Sequence, residues 1–168
     1  ADGSMSAKDS AKLIKKQIEY PNSVIIGSRF VSGGGYKGSI SKDNSLIKSF
    51  YNLYNSEDSL MAVFLSKIFN ELLSRLGSFK VKDITSGFII GKKVNFPQYI
   101  FDEASYGEYF ISLVNELENK NIDIVELGYV CLTRIHGVSK TGTNYIKLFK
   151  RGIPYIKVVN NIRKSARK

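Results

Sequence analysis

The feature that most constrains the fold is the uninterrupted apolar run Val-Ile-Ile at residues 24–26. A continuous run, rather than an alternating one, is typical of a parallel strand that is covered on both faces. Residues 6–19 directly before it predict an amphipathic helix with Ser6 as its N-cap. A helix followed by a buried strand predicts an α/β protein. Arg29 stands at the carboxyl end of this strand, where open parallel sheets bind ligands.

Periodicity predicts the elements that follow. Residues 57–76 form a helical stripe with Gly77 as a C-cap, and residues 105–119 form a second amphipathic helix. Residues 122–133 predict one long strand. Residues 144–164 mix apolar and cationic side chains. Because Gly and Pro interrupt this last segment, it predicts two helical pieces rather than one.

Two polar stretches have more than one interpretation. Asp83, Thr85 and Ser86 precede a short apolar strand. Such a cluster forms an Asx turn that satisfies its own backbone, or it presents a carboxylate to a pocket. The glycines at 33–35 indicate a loop that another group approaches closely, or a plain linker. Residues 37–56 are polar, and we interpret them as an insertion or lid.

Charge is distributed unevenly along the chain. Residues 1–133 hold fifteen Lys and Arg and fifteen Asp and Glu, so the formal charge of +10 lies entirely in residues 134–168. A basic end suits nucleic acid or an anionic membrane. One cysteine excludes a disulfide framework and a cysteine zinc site. No apolar run approaches the roughly 18 residues that a membrane span needs.

The basic end opens with a loop over residues 134–140. Arg134 can bind phosphate oxygens through two parallel N–H bonds, while Ser139 and Lys140 add a hydroxyl and a second cation. Gly137 permits a turn or a close approach to a ligand. The loop is interpreted as a phosphate site or as a solvated basic turn.

Five stretches together carry a resemblance to a known family. In chain order they are Asp2-Gly3-Ser4, residues 25–30, residues 33–35, residues 83–88 and the loop at 134–140. This order resembles the family-2 glycosyltransferases that make polyprenyl-phosphate sugars, namely the dolichol-phosphate mannose synthases and their glucose-transferring relatives. The resemblance covers nearly the whole chain.

The resemblance implies a GT-A fold, a Rossmann-like mixed sheet flanked by helices, with a basic amphipathic helical segment at the end. Residues 1–143 would form a partial GT-A domain without the N-terminal nucleotide-binding half. The family holds Mg²⁺ or Mn²⁺ with an Asp-x-Asp motif, of which Ala1 and Asp2 match the second and third positions. Asp2 is therefore the expected metal ligand and Ser4 a further one. The isolated chain is expected to be inactive.

Further site residues carry over from the matching motifs. Asp83 and Ser86 are expected near the transferred sugar and the acceptor, as catalytic residues. Phosphates of the donor or the lipid acceptor are expected to bind the following side chains: Arg29, Lys67, Arg134, Ser139 and Lys140.

The implied reaction is inverting transfer of mannose or glucose, from GDP-mannose or UDP-glucose, to a polyprenyl or dolichyl monophosphate. The protein would work at the cytoplasmic face of a membrane. Residues 144–168 would bind anionic lipid through their cations and a set of inserted apolar side chains. The expected inserted set is Tyr145, Ile146, Phe149, Ile153 and Ile156.

Two alternatives belong to other functional classes. One is a non-catalytic anion-binding module at a membrane surface. The other is a nucleic-acid binder, argued from the pI of about 9.6 and from aromatic residues among the cations. The second is the weaker, because the charge is confined to the end of the chain and no recognition motif is present. We therefore expect no nucleic acid partner.

Overall fold

A computed structural model describes residues 4–36, 60–104, 107–132 and 145–165. These residues form a mixed α/β protein in which two small sheets are flanked by five α-helices, with no closed barrel among them. The helices are α1 (Ala7–Glu19), α2 (Leu60–Gly77), α3 (Gln98–Asp102), α4 (Tyr109–Asn119) and α5 (Tyr145–Ser165). The strands are β1 (Val24–Ser28), β2 (Gly35–Tyr36), β3 (Ile89–Ile90), β4 (Ile124–Gly128) and β5 (Val130–Cys131). A short 3₁₀ turn covers Lys93–Asn95.

Strand β1 is the centre of the larger sheet. It pairs in parallel with β4, from Val24 opposite Ile124 to Ser28 opposite Gly128, and antiparallel with β3 on its other side. All five residues of β1 are buried. The prediction of a buried parallel strand is therefore confirmed, and the side chain of Arg29 follows directly after its carboxyl end.

The prediction of one long strand over residues 122–133 is wrong. After Gly128 the chain leaves the larger sheet, and β5 pairs in parallel with β2 in a second sheet. Tyr129 joins the two sheets, since its N–H donates to the carbonyl of Ser28 (3.1 Å) and its carbonyl accepts from Gly35 (3.0 Å). The backbone of the glycine loop passes so close to Gly128 that a Cβ there would overlap the Ser32 carbonyl. Strand β1 ends at Ser28, opposite Gly128, so the ladder between β1 and β4 stops there, and the loop that follows β1 fills the space beside Gly128.

Helix α1 begins as predicted. The Ser6 hydroxyl accepts from the N–H of Asp9 (3.0 Å) and donates to the Asp9 carboxylate (2.7 Å). These bonds satisfy one of the open N–H groups of the first turn and bring a negative charge to the positive end of the helix dipole.

Helices α2 and α4 end in the same way. The chain reverses through a residue with a positive φ, Ser78 (58°) after α2 and Asn121 (52°) after α4. After α2, the N–H of Phe79 bonds the Ser74 carbonyl (3.0 Å), as in a Schellman motif. The predicted cap Gly77 is the last helical residue, and a Cβ there would overlap the Phe79 ring. The predicted start of this helix lies outside the described residues.

Two predicted helix boundaries need correction. Helix α4 starts at Tyr109 rather than at residue 105, with buried Glu108 at its N-cap position. Helix α5 runs without a break through Gly152 and Pro154, although two pieces were predicted. An interior proline costs about 3 kcal/mol. Packing offsets this cost, since Val159 is fully buried and Tyr155 lies edge-on to Phe69 of α2, with ring centroids 6.0 Å apart.

The core lies between β1 and helices α2, α4 and α5. Its buried apolar side chains are Val24, Ile26, Leu73, Val81, Ile84, Ile100, Phe110, Ile111, Leu113, Val114, Leu117 and Val159. Helix α5 therefore contributes to the same core as the sheet. Among the described helices, none is both long and apolar enough to cross a membrane.

Candidate polar site at the carboxyl end of the central strand

An ion pair closes the carboxyl end of β1. The carboxylate of Asp83 accepts from the Arg29 backbone N–H (2.8 Å) and Nε (2.9 Å) with one oxygen, and from Arg29 Nη2 (2.7 Å) with the other. The Asp83 side chain is completely buried, and that of Arg29 is 13% exposed. A two-pronged pair of this kind is the strongest geometry that Arg and a carboxylate form.

Neighbouring hydroxyls take up most of the other Arg29 donors. Nη2 also donates to Thr85 Oγ1 (2.8 Å), and Nη1 donates to the Tyr36 hydroxyl (3.0 Å). Four of the five guanidinium N–H groups thus donate to described residues. The guanidinium also lies over the rings of Phe30 (5.2 Å) and Tyr36 (5.6 Å). Burial lowers the pKa of Arg29, but the bonds and charge of Asp83 outweigh it, so that its pKa lies above the ordinary value.

Three elements hold the loop that carries Asp83, which we call the Asp83 loop (residues 82–87). From β4, the Glu126 carboxylate accepts from the N–H groups of Lys82 (2.8 Å) and Asp83 (3.1 Å). From α2, buried Asn70 donates to the Lys82 carbonyl and accepts from Thr85 Oγ1 (3.2 Å). On β1, the Gly27 carbonyl accepts from the Ser86 hydroxyl. The loop is therefore fixed at both its ends and its middle.

Aromatic hydroxyls border the ion pair. The Tyr36 hydroxyl lies 3.3 Å from Ser66 Oγ of α2. Burial raises the pKa of Tyr36, and the positive charge of Arg29 offsets only part of this. Burial likewise raises the pKa of Tyr129, whose ring lies edge-on to Phe88 at 5.0 Å. Both tyrosines are therefore neutral hydrogen-bonding groups at physiological pH.

The structure brings together three of the predicted site residues: Arg29, Asp83 and Ser86. The Asp83 carboxylate binds Arg29 and is shielded from solvent, and the Ser86 hydroxyl binds a backbone carbonyl. Lys67 is exposed on α2, apart from these contacts.

Ser4 is half-buried, and its carbonyl accepts from the N–H of Leu132 (2.8 Å). The remaining predicted residues lie outside the described part of the chain: Asp2, Arg134, Ser139 and Lys140. The same holds for the predicted insertion or lid at 37–56.

Sequence reasoning missed Asn70 and Glu126. The sequence could have identified both, because each is a polar residue within an otherwise apolar pattern. Asn70 stands between Phe69 and the core residue Leu73 on α2, and Glu126 interrupts the apolar run of β4. A lone polar side chain in a stripe that faces the core needs a hydrogen-bonding partner, which here is the Asp83 loop.

Within residues 4–36, 60–104, 107–132 and 145–165, no group of three or more His, Cys, Asp or Glu side chains is placed to hold a metal ion. Chemically, the Arg29–Asp83 pair has no net charge, and Tyr36, Ser66 and Thr85 surround it with hydroxyls. Hydroxyls and a neutralised guanidinium fit a polar ligand better than a highly charged one. No protein-family model matches the chain, and no solved structure matches it.

Proposed function

We propose that this chain is part of a GT-A-type glycosyltransferase that moves a hexose from a nucleotide sugar to a polyprenyl monophosphate. One observation carries the proposal. Two motifs of the resemblance, at residues 25–30 and 83–88, are far apart in the sequence but meet through Arg29 and Asp83. They meet at the carboxyl end of a parallel strand pair, where α/β proteins place their ligands.

The proposed reaction does not require a strong general base. A lipid monophosphate oxygen is already an anion at neutral pH, so it can attack the anomeric carbon directly, while the bond from that carbon to the diphosphate breaks and the nucleoside diphosphate leaves. Asp83 is buried and bound to Arg29, which suits a residue that shapes the site rather than one that takes a proton. We assign Arg29 the same role, and its fifth guanidinium N–H, which bonds no described residue, would donate to a sugar hydroxyl.

The phosphates of donor and acceptor need positive charge, because two anions must be brought together. Arg29 is neutralised by Asp83, so this charge is assigned to the basic loop, through Arg134 and Lys140. The described residues do not form a metal site, and Asp2 lies outside them. A divalent cation therefore enters only as an expectation of the resemblance, and no step of the mechanism depends on it.

The test is a transfer assay with the protein expressed at the full length of its reading frame. Radiolabelled GDP-mannose and UDP-glucose are offered in turn with a polyprenyl phosphate in detergent. We expect a labelled, mild-acid-labile lipid product with one donor. Absence of product with both donors would overturn the proposal.

Variants of the basic loop sharpen the test. Arg134→Ala and Lys140→Ala should each lower transfer by about tenfold or more, since each removes charge stabilisation from the leaving group or acceptor. Their melting temperatures should stay at the wild-type value. The matched controls Lys8→Ala and Lys15→Ala remove exposed cations from α1 and should leave transfer unchanged. If loop and control variants behave alike, the basic loop has no part in the reaction.

A further inference from the structure

Helix α2 exposes a row of large apolar side chains. Phe64 is 59% exposed, Ile68 47% and Leu72 49%. They are spaced by four residues, so they lie on one side of the helix, and we call them the α2 stripe. Single exposed apolar residues are ordinary, whereas several aligned on one helix side form a patch of the kind that contacts a partner.

Helix α5 exposes a row of cations. Lys150, Lys157 and Lys164 are all exposed, and a spacing of seven residues places them on one side of the helix; we call them the α5 lysine row. The helix carries six Lys and Arg in all and no carboxylate. Ile153 lies near this row and is 40% exposed.

The two helices are packed against each other. The ring of Phe69 on α2 lies edge-on to Tyr155 of α5, and it would lie 3.1 Å from a Cβ placed on Gly152. Tyr155, Ile156 and Ile162 contact the core, where Val159 is buried. These described apolar side chains of α5 are therefore turned inward, whereas Ile153 and the α2 stripe are open to a partner.

We propose that the α2 stripe and the α5 lysine row form one docking surface for an anionic lipid bilayer, with α2 supplying the inserted apolar side chains and α5 the charge. The inference deepens the proposed function, since it names the surface that meets the membrane of the lipid acceptor. It departs from the sequence-based expectation that the end of the chain inserts by itself. Of the residues expected to insert, Ile156 packs on the core and Ile153 is 40% exposed. The side chains of Tyr145, Ile146 and Phe149 lie outside the described part of the structure.

Lipid fits this surface better than two other partners. The phosphates of a nucleic acid would bind the lysines, but a duplex offers no apolar layer to contact the aligned Phe, Ile and Leu side chains. A second copy of the chain would bring six further cations against the first six, with no carboxylate on α5 to meet them. An anionic bilayer matches both features, because it offers negative headgroups above an apolar layer.

Helix α1 provides a matched control surface. Its Ile14 and Ile18 are also exposed, as are Lys8 and Lys15. Its other two lysines, however, pair with acids of the same helix, Lys12 with Asp9 (2.7 Å) and Lys16 with Glu19 (2.9 Å). Helix α1 therefore has an exposed apolar pair of similar kind with a smaller excess of positive charge than α5.

The experiment is co-sedimentation of the full chain with vesicles of phosphatidylcholine alone, or of phosphatidylcholine mixed equally with phosphatidylserine. One test variant is Phe64→Ser with Ile68→Ser and Leu72→Ser, and the other is Lys150→Gln with Lys157→Gln and Lys164→Gln. The control variants are Ile14→Ser with Ile18→Ser, and Lys8→Gln with Lys15→Gln. Circular dichroism and thermal melting verify that each variant is folded, and single substitutions replace any combination that is not.

We expect the wild type to bind the mixed vesicles, with binding that weakens in high salt. Each test variant should bind at least about tenfold more weakly, while the controls stay within about twofold of the wild type. Equal binding of wild type and test variants, equal loss in the controls, or tighter binding to duplex DNA than to mixed vesicles would each overturn the proposal. Sedimentation uses no sugar donor. For the protein at the full length of its reading frame, vesicle binding without sugar transfer would refute only the proposed enzyme, and sugar transfer without vesicle binding would refute only the docking surface.

Discussion

Arg29 bonds Asp83 through its backbone N–H as well as its guanidinium, across 54 positions of sequence. The end of β1 and the Asp83 loop are thus joined by both main chain and side chain. Removing one partner of a buried pair leaves the other charged and unsatisfied, whereas replacing both by apolar residues is far less costly.

We therefore expect Asp83→Leu to lower the free energy of unfolding by about 3–5 kcal/mol. The double variant Arg29→Met with Asp83→Leu should lose much less free energy of unfolding than the two single variants lose in total. Urea denaturation of the wild type, the two single variants and the double variant measures the energetic coupling between Arg29 and Asp83. The exposed pair Glu71–Arg75 (2.6 Å) is the control, and its removal should cost less than about 1 kcal/mol. Similar losses for both pairs would show that the buried pair contributes no more than a surface one.

Asn70 is expected to hold the Asp83 loop in place. Asn70→Leu leaves the Lys82 carbonyl and the Thr85 hydroxyl without this partner, which should cost about 1–3 kcal/mol. Amide hydrogen exchange should also become faster in residues 82–87. The control Asn160→Leu alters an exposed position of α5 and should change stability by less than about 0.5 kcal/mol. Unchanged exchange in the loop would contradict the assigned role.

Ser78 sits in the left-handed region at φ 58°, which glycine adopts without the clash that a Cβ causes. Ser78→Gly should raise the free energy of unfolding by about 0.5–1 kcal/mol. The same change at Ser10, inside α1, should lower it by about 0.5 kcal/mol, because glycine is the poorer helix former. Thermal or urea unfolding of both variants measures the two changes in the free energy of unfolding. If both substitutions changed stability in the same direction, the backbone angle at residue 78 would not be the deciding factor.

The N-terminus of α1 makes stability depend on pH. Burial raises the pKa of Asp9, but its bonds to Lys12 and Ser6 outweigh this and leave its pKa below the ordinary 3.8. The ionised form is thus favoured in the folded state. Its contribution is present above pH 3.8 and is lost as pH falls through the lower folded-state value.

Asp9→Asn should accordingly cost about 1 kcal/mol near neutral pH. The difference from the wild type should shrink as pH falls below 4, measured by urea midpoints across the acid range. Lys80→Gln, which removes an exposed cation outside α1, is a suitable control. A difference that stays constant with pH would mean that ionisation of Asp9 is not its source.

Much of the fold followed from local pattern. The Val-Ile-Ile run identified β1, and the caps identified α1 and the end of α2, because apolar continuity and capping are encoded within a few residues. The division of residues 122–133 into two strands was not predictable in this way. It depends on the end of β1 at Ser28, a hundred positions earlier, and on the glycine loop that leads from there to β2. Likewise, the continuity of α5 through Pro154 depends on packing against Phe69 rather than on local propensity.

The sequence predicted which residues belong to the candidate site better than it predicted the contacts between them. Arg29, Asp83 and Ser86 were identified from their positions beside strands, and they do lie together. The sequence did not indicate that the first two bind each other, since each was expected to face a ligand. Asn70 and Glu126 were missed because their importance comes from the loop they hold.

The parallel pairing of β1 with β4 has a consequence for how the chain is made. Each residue of β1 pairs with one 100 positions later, so its partner strand is synthesised long after it leaves the ribosome. At about 5–20 residues per second, the delay is roughly 5–20 s. During it, the fully buried strand β1 can be covered by α1 and later by α2, β3 and α4, but its parallel partner strand is still missing. Nascent chains that stop before residue 124 should therefore be strong substrates for ribosome-associated chaperones.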